Sequence, residues 1–391
     1  MSAIAESIFE KVSYVVGPSD KIIALHEPWI DKEDAACVSD VVLSGWVSYQ
    51  GEMVNKFERS LEKYLNVPHV VSVVNGTAAL YIAIKALGIK QNDEVILPSL
   101  TFSATANAVC HAGAIPHFVD SCEQTLAIDF DKLDAYLESS AFLDDAGRLI
   151  NKRTKNEIKA IIPVHIFGAS FNLERLQEVA CKFHLQIIED AAEALGSEYN
   201  AQKVSALTGI GIVSFNGNKI ITTGGGGAVA IQDAAIAQKI RHLSTTAKKP
   251  HRYEFEHDEI GYNLRLPAIN AALGYSQMQK MDLFLKKKKN LYKMYVTAFS
   301  SVDVGAMFDP NSFGESNNWL NAFILNDENK SKKNEVLGFL NDKNISARPF
   351  WKPLHMLDIY NHCPRSDCSK ASNLYDRVIC LPSSAFLGSY E

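Results

Sequence analysis

Between residues 70 and 231 short apolar runs alternate with amphipathic stretches. Runs at 70–74, 94–97, 115–119, 160–166, 185–188, 211–215 and 228–231 have strand length, and helical spacing fills 77–87, 103–112 and 173–183. Apolar strands separated by helices require a sheet covered on both faces, and such sheets are mostly parallel. The expected fold class is therefore α/β, a mostly parallel central sheet flanked by helices. Helices are also expected over 31–43 and 54–65, after an irregular lead-in over the first twenty residues. Beyond about residue 250 the pattern weakens into a long helix at 266–285 and short elements at 318–325, 332–340 and 345–348. This organisation predicts a large domain over 1–250, lead-in included, and a smaller C-terminal α+β domain over 251–391.

Composition narrows the function classes. The chain has 391 residues, 47% of them hydrophobic, enough for two substantial cores. A net charge of −6 gives no global basic field for nucleic acid. The lysine run 286–289 reads as a solvated helix face. Seven cysteines, odd in number and irregular in spacing, suggest reduced thiols and a cytoplasmic location. His362, Cys363 and Cys368 lie close together, but no second ligand pair has metal spacing, so no metal is expected. No basic-then-apolar leader and no run of membrane-spanning length is seen, so no membrane association is expected.

The chemistry concentrates at the ends of the strand runs. SFNGNK at 214–219 ends a strand with Lys219 in a tight turn, followed by four glycines at 224–227. IIED at 187–190 ends another strand with Asp190. An amine and a carboxylate so placed can hold pyridoxal 5′-phosphate: the lysine bonds to its aldehyde, and the aspartate keeps its ring nitrogen protonated. The glycine run follows the lysine and opens no helix, which argues against a dinucleotide fingerprint. NGTAA at 75–79 follows a strand and opens a helix, so Gly76 and Thr77 form either a phosphate cup or an ordinary N-cap. Phe102, in PSLTF at 98–102, either stacks on a cofactor ring or fills the core. Asp190 is either the pyridine partner or a helix N-cap. Glu193 either nears the phenolic oxygen of the cofactor or closes a capping box with Asp190. Ser214 and Asn216 flank the strand end before Lys219, and either could donate to a phosphate.

Taken in order and spacing, NGTAAL at 75–80, PSLTF at 98–102, EDAA at 189–192, SFNGNK at 214–219 and GYNLR at 261–265 resemble the DegT/DnrJ/EryC1/StrS family of nucleotide-sugar aminotransferases, pyridoxal-phosphate enzymes of fold type I. The resemblance runs from Leu25 to Ser384. It implies that Lys219 is the Schiff-base lysine and proton shuttle and that Asp190 holds the pyridine nitrogen. It also implies that Phe102 stacks on the ring, that Gly76, Thr77 and Ser214 bind the phosphate, and that Glu193 lies near the phenolic oxygen. Asn263 would reach the phosphate of a neighbouring subunit's cofactor, which implies a homodimer with shared sites. Two positions depart from the common pattern: Gly225 stands where many members have glutamate, and Glu193 where many have glutamine. The glycine run, WVS at 46–48 and ARPFW at 347–351 are similar to the C4 aminotransferases of legionaminic acid and bacillosamine pathways. The implied substrates are L-glutamate and a UDP-linked 4-keto-6-deoxy-N-acetylhexosamine, in a ping-pong reaction. A GDP- or dTDP-linked keto sugar is the alternative. His26, Trp46, Tyr49, Arg348 and Trp351 are the candidate sugar or nucleotide contacts. The family's dehydratase branch replaces the lysine with histidine, and Lys219 argues against it. A non-catalytic regulator would need a DNA-binding region, for which residues 1–20 are too short.

Overall fold

The computed structural model describes residues 3–388. The central sheet has eight strand segments, β1 His69–Val73, β2 Glu94–Pro98, β3 Ile115–Val119, β4 Ile158–Ile161, β5 Gln186–Ile187, β6 Glu189–Asp190, β7 Ile210–Ser214 and β8 Gly227–Ile231. Only Ile188 separates β5 from β6, and its N–H donates to the Ile161 carbonyl. The two sheet halves therefore meet there, in the order β3-β2-β4-β5/β6-β7-β8-β1. Pairings from β3 across to β7 are parallel, and β8 is antiparallel to both of its neighbours, β7 and β1. Val71, Ile96, Ile161, Ile212 and Val229 are fully buried. These are the β-branched runs that a doubly covered sheet requires.

Helices α1 Ala3–Val16, α2 Lys32–Ser44, α3 Glu52–Leu65, α4 Gly76–Ala86, α5 Ala104–His111, α6 Phe130–Ser140, α7 Leu173–Lys182, α8 Ala234–Ser244, α9 Ala268–Met278 and α10 Met281–Phe299 precede the smaller sheet. That sheet comprises β9 Gly305–Met307, β10 Asn321–Leu325, β11 Arg348–Pro349 and β12 Val378–Leu381, in the antiparallel order β9-β10-β12-β11. Helices α11 Lys333–Asp342 and α12 Ser369–Arg377 pack against it.

The structure corrects three expectations. The lead-in is not irregular: Ala5, Ile8, Val12 and Val15, at helical spacing, bury one face of α1 against α10, α11 and the small sheet. Residues 3–16 therefore pack with the C-terminal part of the chain. The long helix expected at 266–285 is two, α9 and α10, broken at Gln279–Lys280 with no glycine or proline to announce it. At the break Lys280 Nζ reaches Asp31 and Asp34, each at 2.7 Å, tying the turn to the start of α2. Finally, the lysine run is not wholly solvated, because Lys288 is 1% exposed.

Candidate active site

The parallel strands point their carboxyl ends at one edge of the sheet, where a doubly wound fold leaves a crevice. A cavity of about 310 Å³ opens there. Its lining includes Gly76, Thr77, Phe102, Asp190, Glu193, Ser214, Lys219 and Trp351, drawn from five separate stretches of sequence. Of the eight cofactor-binding candidates, this edge gathers seven. Asn263 stands apart, exposed, with positive φ (51°), in the segment leading to α9.

On one side lies the start of α4. Asn75 is its N-cap, and its side chain accepts from Ala78 N–H at 2.8 Å. The ordinary capping interaction is therefore present, and Gly76 and Thr77, the first two residues of α4, line the cavity with N–H groups that have no intrahelical acceptor and suit an anion. Gly76 sits tight against β7: a Cβ there would lie 3.1 Å from Ser214 Cβ. Gly227, at the start of β8, touches the same turn, and a Cβ on it would fall 2.6 Å from the Asn75 carbonyl carbon. Of the four glycines after the lysine, only Gly224 uses positive φ (79°). Gly226 and Gly227 are needed for close approach, whereas a Cβ on Gly225 would meet only the Val74 carbonyl oxygen, at 3.9 Å.

Asp190 ends β6, buried. No helix follows it, so it is not a helix N-cap, and Glu193 closes no capping box. Its carboxylate accepts from Thr105 Oγ1 at 2.8 Å and from Ala192 N–H at 3.2 Å. Burial pushes this carboxyl up, while those donors and Lys219 pull it down. Glu193 accepts from Phe167 N–H at 2.8 Å through one oxygen. The other lies 3.8 Å from Lys219 Nζ. Burial pushes Glu193 up to about 7 against the pull of Lys219. Burial pushes the Lys219 amine down from its ordinary value against the pull of Glu193 and Asp190. Both shifts favour the uncharged forms.

The outer wall is aromatic. Phe102 is 52% exposed, so it is no core residue. Its ring meets Trp351 at 5.8 Å, and Trp351 stacks on Trp319 at 6.3 Å and 22°. Trp319 and Thr105 escaped the sequence reading. Each lies far in sequence from the group it serves, and neither belongs to a local motif. The other substrate candidates separate. Arg348 lies beyond Trp351 in an adjoining groove of about 400 Å³ that also holds Lys352 and Tyr375. His26 is half-buried, and its two ring nitrogens, shielded from solvent, find no partner among the described residues. Its neighbours Lys288 and Lys219 add to the burial that pushes its pKa down. Trp46 lines a different groove, with Val41, Met53 and Lys56. Tyr49 is half-buried, within electrostatic reach of Arg265.

Among the described residues no group of three His, Cys, Asp or Glu side chains is placed to hold a metal, and no helix is long and apolar enough to cross a membrane. The donor set instead fits a phosphorylated pyridine aldehyde: anion donors at a helix start, a buried carboxylate, and an amine of lowered pKa share one cavity.

Comparison with known proteins agrees with this chemistry. The chain is 32% identical to the GDP-perosamine synthase of Vibrio cholerae over 93% of this chain and 94% of the relative. It is 31% identical to the UDP-4-amino-4,6-dideoxy-N-acetyl-beta-L-altrosamine transaminase of Campylobacter jejuni, over 90% of each chain. The structure superimposes on Helicobacter pylori PseC, an aminotransferase involved in pseudaminic acid biosynthesis, with a TM-score of 0.84 and 29% identity over 93% of this chain and 94% of that one. A model of the DegT/DnrJ/EryC1/StrS aminotransferases matches residues 28–390, and the chain belongs to that family of pyridoxal-phosphate enzymes.

Proposed function

We propose that the protein transfers an amino group from L-glutamate to the C4 ketone of a UDP-linked 4-keto-6-deoxy-N-acetylhexosamine, for the sugars of bacterial surface glycans. The observation that carries this reading is the convergence of the Lys219 amine, the Asp190 and Glu193 carboxyls and the α4 N-terminus on one cavity. When bound, pyridoxal phosphate supplies an aldehyde and an electron-accepting ring. Gly76 and Thr77 N–H and the Ser214 hydroxyl would hold its phosphate. Asp190, held by Thr105, would serve the ring nitrogen and keep a proton on it. Phe102 would stack on the ring. Lys219 would supply the amine for the aldehyde and, as a free amine, would carry a proton to and from the reacting carbon. Glu193, 3.8 Å from the Lys219 amine, would exchange that proton.

Trp351 forms the border between this cavity and the groove of Arg348 and Lys352, which supports a sugar at the indole and a diphosphate on the two cations. A second copy of the chain completes the site in this reading. Exposed Asn263, together with the exposed apolar side chains of Leu43, Trp46, Tyr253, Phe255 and Ile260, supports such a dimer. The pathway reading is that of legionaminic acid-type sugars made in the cytoplasm. A GDP-linked 4-keto sugar is the second reading, supported by the likeness to GDP-perosamine synthase.

The test is a panel of UDP-, GDP- and dTDP-linked keto sugars with glutamate, followed by product mass. Amination of the UDP-linked N-acetylhexosamine well above the rest is the expected result. Preferred turnover of a GDP- or dTDP-linked sugar would replace this reading with the alternative.

A further inference from the structure

Trp319 lies two residues before β10 of the smaller sheet, yet it forms part of the cavity wall. Its ring centroid is 3.7 Å from Lys219 Nζ. A cation at that distance over an indole face is attracted by the ring quadrupole, most strongly where water is excluded. The ring is held from several directions. Its Nε1–H donates to the Asn218 carbonyl at 2.6 Å, beside the lysine itself. Its backbone N–H donates to Asn317 Oδ1 at 2.9 Å. Asn317 in turn donates to the carbonyls of Glu193, at 2.8 Å, and Leu195, at 3.0 Å. The Trp319 carbonyl accepts from Lys288 Nζ at 2.6 Å, and Lys288 also donates to the Ser383 carbonyl. Lys288 makes no ion pair among the described residues, and its bonds hold only these two loop carbonyls.

Resting on the reading of Lys219 as the cofactor-bonding lysine, we propose that Trp319 is a further residue of the reaction centre: its ring face seats the protonated Lys219 amine whenever that amine is free of cofactor. Lys288 is a positioning residue that holds the backbone of Trp319 through its carbonyl. The amine must alternate between carrying a proton and lacking one. A carboxylate in direct contact would trap the charged form, and an apolar wall would abolish it. An indole face lies between, favouring the cation without accepting its proton. Glu193, set off at 3.8 Å, remains the proton's exchange partner.

The test uses the full chain stripped of cofactor, labelled with acetic anhydride over a pH series, with Lys219 acetylation read by mass spectrometry. W319L keeps the wall apolar but removes the face. Its labelling midpoint should fall by roughly one pH unit, because the cation loses its seat. W319F, with a weaker face, should fall less. K288M should shift the midpoint in the same direction, and W319L/K288M should add nothing to W319L. A W319L midpoint equal to or above that of the wild type overturns the proposal. A K288M midpoint equal to the wild type's removes Lys288 from it. Should K288M not fold, W319L against W319F still decides the role of the face. Re-addition of pyridoxal phosphate to the wild type separates the two readings: absence of a visible absorption band refutes the lysine's cofactor role, whatever the midpoints show.

Discussion

Lys219 and Lys288 both contact one tryptophan, the first at its ring and the second at its backbone carbonyl, but their surroundings differ in kind. Lys219 faces a cavity, with two carboxyls and an indole ring around its amine. Lys288 faces packed backbone, with two carbonyls as acceptors. Burial pushes both amines down. At Lys219 opposing carboxylates restrain that shift, whereas at Lys288 burial alone drives it. A lysine that must react needs neighbours that tolerate either protonation state and room for a ligand. A lysine that braces a loop needs only acceptors and no access.

Replacing each lysine should break the symmetry most sharply. K219A should lower turnover by more than about 10⁴-fold and abolish the visible band of the cofactor-loaded protein, with little change in stability. K288M should instead lower stability by about 2–4 kcal/mol, measured by denaturant titration, because two buried carbonyls lose their donor. A K288M protein as stable as the wild type would mean that those carbonyls find other partners. Next in size, D190N should cut turnover by roughly 10²–10³-fold with a smaller loss of cofactor retention, measured by kinetics and by dialysis. Near-normal turnover would take the ring nitrogen away from Asp190.

The smallest effect is a pH dependence. A carboxyl raised from 4.5 to about 7 by folding keeps its proton in the native state after the unfolded chain has lost it. The native state then binds more protons in that window, so its stability falls as pH rises through it. E193Q removes that loss. Relative to the wild type, the cofactor-free variant should gain on the order of 1–3 kcal/mol between pH 4.5 and about 7 and no more above it. A difference that does not change with pH would show that Lys219 already holds Glu193 ionised.

The same contrast explains what could be read from the sequence. The sheet was legible because its strands are apolar on both faces, as at 70–74 and 211–215, and the lysine turn was legible because its chemistry sits in one continuous run. Asp190 and Gly76 announced themselves as strand-end residues. Trp319, Thr105 and Lys288 did not, since each acts on groups tens to hundreds of residues away. The lysine run 286–289 is uniform in sequence, and only packing against the loops at 319 and 383 singles out one member of it. Helix α1 did carry a readable signal, the i, i+3, i+7, i+10 spacing of Ala5, Ile8, Val12 and Val15. The short polar-flanked start of the chain obscured it. The break between α9 and α10 carried none, because Lys280 is an ordinary helix former whose partners, Asp31 and Asp34, belong to another helix.

Gly227 forms no hydrogen bond through a side chain and reaches no ligand, yet the backbone of the α4 turn rests on it. It acts as a spacer that sets how closely the start of α4 approaches the lysine-bearing hairpin. A single methyl group at that point would lever the two apart and widen the anion seat while leaving every donor in place. The seat's dimensions are thus governed from beneath, by a residue whose contribution is the absence of bulk.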